Sequence, residues 1–120
     1  MHELSLASGI LDIVQEYVPR DRRSAVRGVR VRVGSLSGVV PESLEFSFAA
    51  IVAGTPLQHA SLVIEHVPAS VRCNRCRCEF GVELPIFVCP QCNSSETTML
   101  QGNELQVVEI ELQDQPAEAQ

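Results

Sequence analysis

Between residues 4 and 18 the apolar side chains Leu4, Ala7, Ile10, Leu11, Val14, Tyr17 and Val18 recur at three- and four-residue spacing, with Ser8, Asp12, Gln15 and Glu16 between them. That period predicts an amphipathic helix, and Pro19 stops it. Residues 19–23 are polar and turn-like. Val29, Val31 and Val33 then alternate with Arg30 and Arg32, the period of a half-buried strand whose arginines face solvent.

A glycine-bearing turn over residues 34–38 leads to Pro41 and Glu42, which suit the first turn of a second helix. Leu44, Phe48, Ile51 and Val52 supply its apolar side. Gly54 is predicted as its left-handed cap, with Pro56 just beyond. Residues 62–67 and 105–112 are rich in β-branched and aliphatic side chains and read as two more strands, with a cysteine segment inserted between them. Val107 and Val108 break the alternation of the last strand, so either a bulge lies there or both faces are covered. Residues 113–120 contain Pro116 and no large apolar side chain, and a frayed tail is predicted. The predicted fold class is α+β: a small sheet with two helices, plus the inserted cysteine segment.

A chain of 120 residues holds one domain, or one with a small stapled module. No apolar run approaches the roughly 18 residues needed to cross a bilayer, and the first residues lack the pattern of a secretory signal. No membrane span is expected, and the cytoplasm is the expected compartment. All nine cations are arginine, which excludes lysine-based catalysis and a phosphate loop with its lysine. The formal charge of −6 disfavours nucleic acid, whose binding needs clustered positive charge.

Five cysteines in a reducing compartment point to metal rather than disulfides, and their odd number leaves one over in any bridging scheme. Cys73-Asn74-Arg75-Cys76 and Cys89-Pro90-Gln91-Cys92 are two CxxC pairs separated by twelve residues, a length that can form a short hairpin and bring the pairs together. Four thiolates then close a tetrahedron suited to zinc, with no position open for water or substrate, so the zinc is structural. Two independent redox or buried cysteine pairs are the weaker alternative. Cys78 is close enough in sequence to substitute as a ligand, but it belongs to neither pair and is assigned as a free thiol.

His2 lies one residue from the amine of Met1, which bulky His2 protects from removal. Amine, backbone amide and imidazole can close fused chelate rings of the tetragonal nitrogen type that nickel favours. The plainer alternative is an unengaged terminal histidine, and spacing alone leaves both open. His59 and His66 are read as structural.

The chain resembles the HypA/HybF family of hydrogenase nickel-incorporation proteins. The shared features are Met1-His2-Glu3-Leu4-Ser5, the run Val33-Gly34-Ser35-Leu36-Ser37-Gly38-Val39 followed by Pro41-Glu42-Ser43-Leu44, both CxxC pairs, and Gly102-Asn103-Glu104-Leu105. The resemblance implies a nickel-binding α+β domain over residues 1–70 and 102–112, and a zinc-ribbon domain over residues 71–101. It implies Ni(II) carried by His2, with the Met1 amine and Glu3 as neighbours, and structural Zn(II) on Cys73, Cys76, Cys89 and Cys92. Delivery to the [NiFe]-hydrogenase large subunit with a maturation GTPase is the implied function, and no catalysis. Cys78 lies outside the shared pattern.

The rival reading is a zinc-ribbon module for nucleic-acid or protein interaction without nickel delivery. Between Cys73 and Cys92 only Arg75 and Arg77 are basic, opposed by Glu79 and Glu83, and only Phe80 and Phe87 are aromatic. That is poor ground for phosphate contacts or base stacking.

Overall fold

The computed structural model describes residues 3–83 and 86–113. Along the chain lie α1 (Glu3–Tyr17), a short 3-10 helix (Arg20–Ala25), β1 (Val26–Gly34), α2 (Pro41–Val52), β2 (Ser61–Val67), β3 (Ala69–Cys73), β4 (Glu79–Val82), β5 (Thr97–Gln101) and β6 (Leu105–Leu112). The strands form two three-stranded sheets, ordered β2-β1-β6 and β4-β3-β5. The class is α+β with a small cysteine-bearing sheet, as the sequence predicts. Apart from Gln113, the predicted tail lies outside the described residues.

The chain divides into two compact units. Of the described residues, the first takes 3–31, 40–64 and 107–113, and the second 32–39 and 65–106.

In the first unit α1 and α2 pack together. The helical period places Ala7, Ile10 and Val14 of α1 and Leu44, Phe48 and Val52 of α2 in the core. Phe46, two residues from buried Phe48, points the other way around the helix and is 76% exposed. Val26, Val29 and Val31 of β1 are fully buried beside exposed Arg30, as the alternation requires. Each such valine or phenylalanine contributes about 1.5–3 kcal/mol of burial.

Residues 19–23, predicted as a turn, form the cap and the first part of the 3-10 helix, where the Arg22 amide bonds to the Pro19 carbonyl at 2.9 Å. Its purpose is visible at Arg23. That guanidinium donates from Nε to the Val18 carbonyl (3.2 Å) and from Nη2 to the Gln15 carbonyl (3.0 Å), satisfying acceptors that the end of α1 leaves open.

The end of α2 differs from the predicted cap. The helix stops at Val52, Ala53 is extended (φ −60°, ψ 132°), and Gly54 follows at φ 77°. With the Thr55 amide on the Val52 carbonyl at 3.1 Å, this is a type II turn, which requires a positive φ at its third residue. In β6 the half-covered residues change from Leu105 and Val107 to Ile110 and Leu112, while Val108 and Glu109 are exposed. Coverage of both faces is thereby excluded.

The second unit is built around β3, antiparallel to both β4 and β5, with a register irregularity between Ser70 and Val71 on the β5 side. Its beginning is a backbone crossing. Gly34 donates to the Glu104 carbonyl at 2.8 Å, Leu36 to the Gly102 carbonyl at 2.7 Å, and Ser35 to the Val67 carbonyl at 2.9 Å. A Cβ on Gly34 would strike the backbone of Gly102, and one on Gly102 would lie 2.5 Å from Ala69 Cα. Only glycine permits this approach, and the φ of Gly102 is +124°.

Candidate metal centre

β3 ends on Cys73, which is buried, and Cys76 follows in the turn that returns the chain to β4. The first CxxC pair is thus itself the hairpin turn, whereas the sequence assigns the hairpin to the twelve residues after it. The second pair, Cys89 and Cys92, precedes β5, whose Thr97 is opposite Cys73.

Both pairs fold by one local rule. The Cys76 amide points at Cys73 Sγ (3.5 Å), and the Gln91 amide at Cys89 Sγ (3.4 Å). Four residues past each first cysteine, the amides of Arg77 and Asn93 return to the Cys73 and Cys89 carbonyls at 2.9 Å. One residue further, the carbonyls of Cys78 and Ser94 accept from the Cys73 and Cys89 amides at 2.8 and 2.9 Å. Arg77 and Asn93 adopt the left-handed region, φ 69° and 62°. Asparagine tolerates it and arginine ordinarily does not. Sequence spacing points to neither Arg77 nor Asn93, although asparagine often fills a left-handed site of this kind.

The four sulfurs converge. Cys73 to Cys92 and Cys76 to Cys89 are each 3.5 Å, and all four ligand atoms lie within 4.8 Å of one another. Thiolates about 2.3 Å from a tetrahedral zinc stand roughly 3.8 Å apart, inside that range. Donor type, number and spacing all fit zinc.

Charge is unevenly shared among these thiols. The Cys76 amide aimed at its sulfur draws Cys73 down to about 6, against the opposing effect of burial. Burial raises Cys89, but the Cys92 and Gln91 amides outweigh it and hold the thiol below its ordinary value. Cys92 is pushed up to about 11: the Ser94 amide favours its thiolate, but the Cys73 sulfur and burial together prevail. Cys76 is also raised, the Cys78 amide being outweighed by the Cys89 sulfur and burial. A divalent cation at the centre favours all four thiolates at once.

Cys78 is outside this cluster. Its Sγ donates to the Glu79 carbonyl at 3.7 Å, and burial followed by the nearby Cys89 raises its thiol.

Met1 and His2 lie outside the described residues. Glu3 opens α1, and its Oε2 accepts from the Val40 amide at 3.3 Å. It borders a shallow cavity of about 420 Å³ with Leu4, Glu42, Ser43, Phe46 and Ser47. His59 sits in the turn after α2 and His66 in β2, and both are exposed rather than packed into a core. No helix among the described residues is long and apolar enough to cross a membrane.

Residues 1–112 match the family model for HypA, described as hydrogenase/urease nickel incorporation, metallochaperone. The hydrogenase maturation factor HypA of Streptomyces avermitilis is 42% identical over 122 aligned positions, covering 100% of this chain and 93% of that protein. HypA of Geotalea daltonii is 44% identical over 107 positions, covering 89% and 94%. In fold, the chain is similar to the solution structure of the Ni metallochaperone HypA from Helicobacter pylori, with TM-score 0.65, 23% identity and coverage of 94% and 98%. A second solution structure of a HypA protein gives TM-score 0.67 at 24% identity, covering 93% and 96%. The four-thiol centre and the match along nearly the whole chain make it a member of the HypA family of nickel-incorporation metallochaperones for hydrogenase maturation.

Proposed function

We propose that the protein binds Ni(II) as cargo at its N-terminus, through the Met1 amine, the backbone between Met1 and Glu3, and the His2 imidazole. It then helps insert the ion into the [NiFe]-hydrogenase large subunit, in the cytoplasm and together with a maturation GTPase. The observation that carries this reading is the family match from residue 1, which includes Met1-His2-Glu3. Glu3 is occupied with the Val40 amide, so its carboxylate is better placed to orient the chain start than to act as the main donor. Nickel favours a tetragonal nitrogen set of the kind that amine, amide and imidazole supply.

In the same reading, residues 1–70 and 102–112 form the nickel-binding domain and residues 71–101 the zinc ribbon. Zinc on Cys73, Cys76, Cys89 and Cys92 ties the two CxxC turns together and leaves no open position for catalysis. The chain's role is carriage and handover, not chemistry of its own.

Calorimetry with nickel on untagged protein tests the proposal. His2→Ala and a short N-terminal extension should each abolish tight nickel binding while zinc content stays unchanged. Binding should also weaken on acidification, because protons compete for an amine of ordinary pKa about 7.7–8.0 and an imidazole of about 6.5. Equal affinity in the extended protein would rule out the N-terminal chelate.

A further inference from the structure

Residues 20–27 carry four of the nine arginines and a single acid, Asp21, in a chain of net charge −6. Among the described residues the ion pairs are Arg30–Glu109 at 2.7 Å and Arg32–Glu65 at 3.3 Å, and neither draws on this group. Two of the four guanidiniums are fixed in place by neutral acceptors. Arg23 is held by the Gln15 and Val18 carbonyls, and Arg27 donates from Nη1 to the Ser24 carbonyl at 2.7 Å. Carbonyls set their positions without cancelling their full charge. Arg20 and Arg22 stand exposed on the 3-10 helix, and Tyr17, 71% exposed, ends α1 just before them.

The geometry points to an interaction surface, made by Tyr17, Arg20, Arg22, Arg23 and Arg27, that receives an acidic segment of a partner protein. Arginine and tyrosine are the side chains that dominate protein interfaces, since both give large contact area with directional polar groups. Anchored guanidiniums lose little freedom on binding a carboxylate, and arginine meets carboxylate in a two-pronged fit. A nucleic acid is the poorer occupant. Its one aromatic side chain, Tyr17, offers no platform on which successive bases could stack. The surface is independent of the nickel reading.

Fluorescence anisotropy of full-length protein with a fluorescein-labelled decaglutamate peptide tests the assignment. The wild-type protein should bind it, with affinity falling as sodium chloride rises from 50 to 200 mM. Arg20→Ser with Arg22→Ser should weaken binding about tenfold, the scale expected for two exposed ion pairs. Both side chains are exposed, and an unchanged circular dichroism spectrum verifies the fold. Arg30→Ser, which removes a cation already paired with Glu109, should change affinity by less than about twofold. Absence of binding, equal loss in the Arg30 variant, or tighter binding of a ten-residue oligodeoxythymidylate would each overturn the proposal.

Discussion

The two CxxC turns are nearly equivalent in backbone but not in sequence, and exchanging the residues that differ offers a quantitative test. Arg77 and Asn93 occupy matching positions at φ 69° and 62°, and both side chains are exposed. A left-handed backbone costs most side chains about 1–2 kcal/mol, and asparagine escapes part of this by bonding locally. Bound zinc would hold the turn in this conformation, so the difference should appear in zinc affinity. With about 1 kcal/mol recovered, Arg77→Asn should tighten zinc roughly fivefold, and Asn93→Arg should loosen it by a similar factor. The double exchange should return close to the wild-type value. Arg75→Asn serves as the control for charge, because it removes an exposed cation from the same turn without altering a left-handed residue. Chelator competition at fixed pH measures all four variants. If Arg77→Asn and Asn93→Arg shift affinity in the same direction, or if Arg75→Asn matches the Arg77 effect, backbone strain is not what separates the two turns.

Cys73→Ser and Cys92→Ser should each lose zinc and loosen residues 73–92 while helical circular dichroism persists, because α1 and α2 bury their faces in the other unit; Cys78→Ser should keep one zinc per chain by metal analysis. Zinc affinity should fall as pH drops from 8, since Cys76 and Cys92 hold their protons above the ordinary thiol value and must release them. The dependence should steepen below about 6, where Cys73 also becomes protonated, and competition titrations between pH 5 and 8 measure both slopes. Gly102→Ala should destabilise the protein by about 2 kcal/mol or more in urea unfolding, since the new Cβ meets Ala69 Cα at 2.5 Å and the backbone there is left-handed; an unchanged midpoint would mean the crossing relaxes freely.

The elements legible from the sequence are those with long, repeated apolar periods. The apolar period over residues 4–18 marked α1, and Val29, Val31 and Val33 marked β1, because burial on one face leaves its period in the residue types. β4 and β5 left no such trace, and β3, where Ala69, Val71 and Cys73 are buried in alternation, is only five residues long. Thr97–Gln101 is largely exposed, and Glu79–Val82 is only four residues long, so neither has a long buried face to mark it in the residue types. The four-cysteine site was legible for the same reason that its sheet was not: ligand chemistry prescribes residue type and spacing, while the strands around it need only present backbone groups. The α2 terminus was half legible. Gly54 announced a positive φ, but a helix cap and a type II turn both use one, and the Thr55–Val52 hydrogen bond distinguishes them only in three dimensions. Charge pairing is likewise a matter of register. Nothing in the order of residues told that Arg30 would meet Glu109 while Arg20 and Arg22 would meet no carboxylate among the described residues.

The contacts between Gly102 and Ala69, with the Gln101 side chain donating to the Pro68 carbonyl at 2.9 Å, hold the two ends of the cysteine segment against each other. Whatever happens between those ends happens inside a loop that is already closed. The entropy of bringing two distant parts of a chain together grows only as the logarithm of the intervening length, and here that term is met by glycine packing rather than by zinc. Each CxxC turn therefore sees the thiols of the other at an effective concentration in the millimolar range, as with any two groups on a short tether. Metal capture becomes a local event of second-pair recruitment, so zinc lost from this centre would be regained without the chain having to find its fold again.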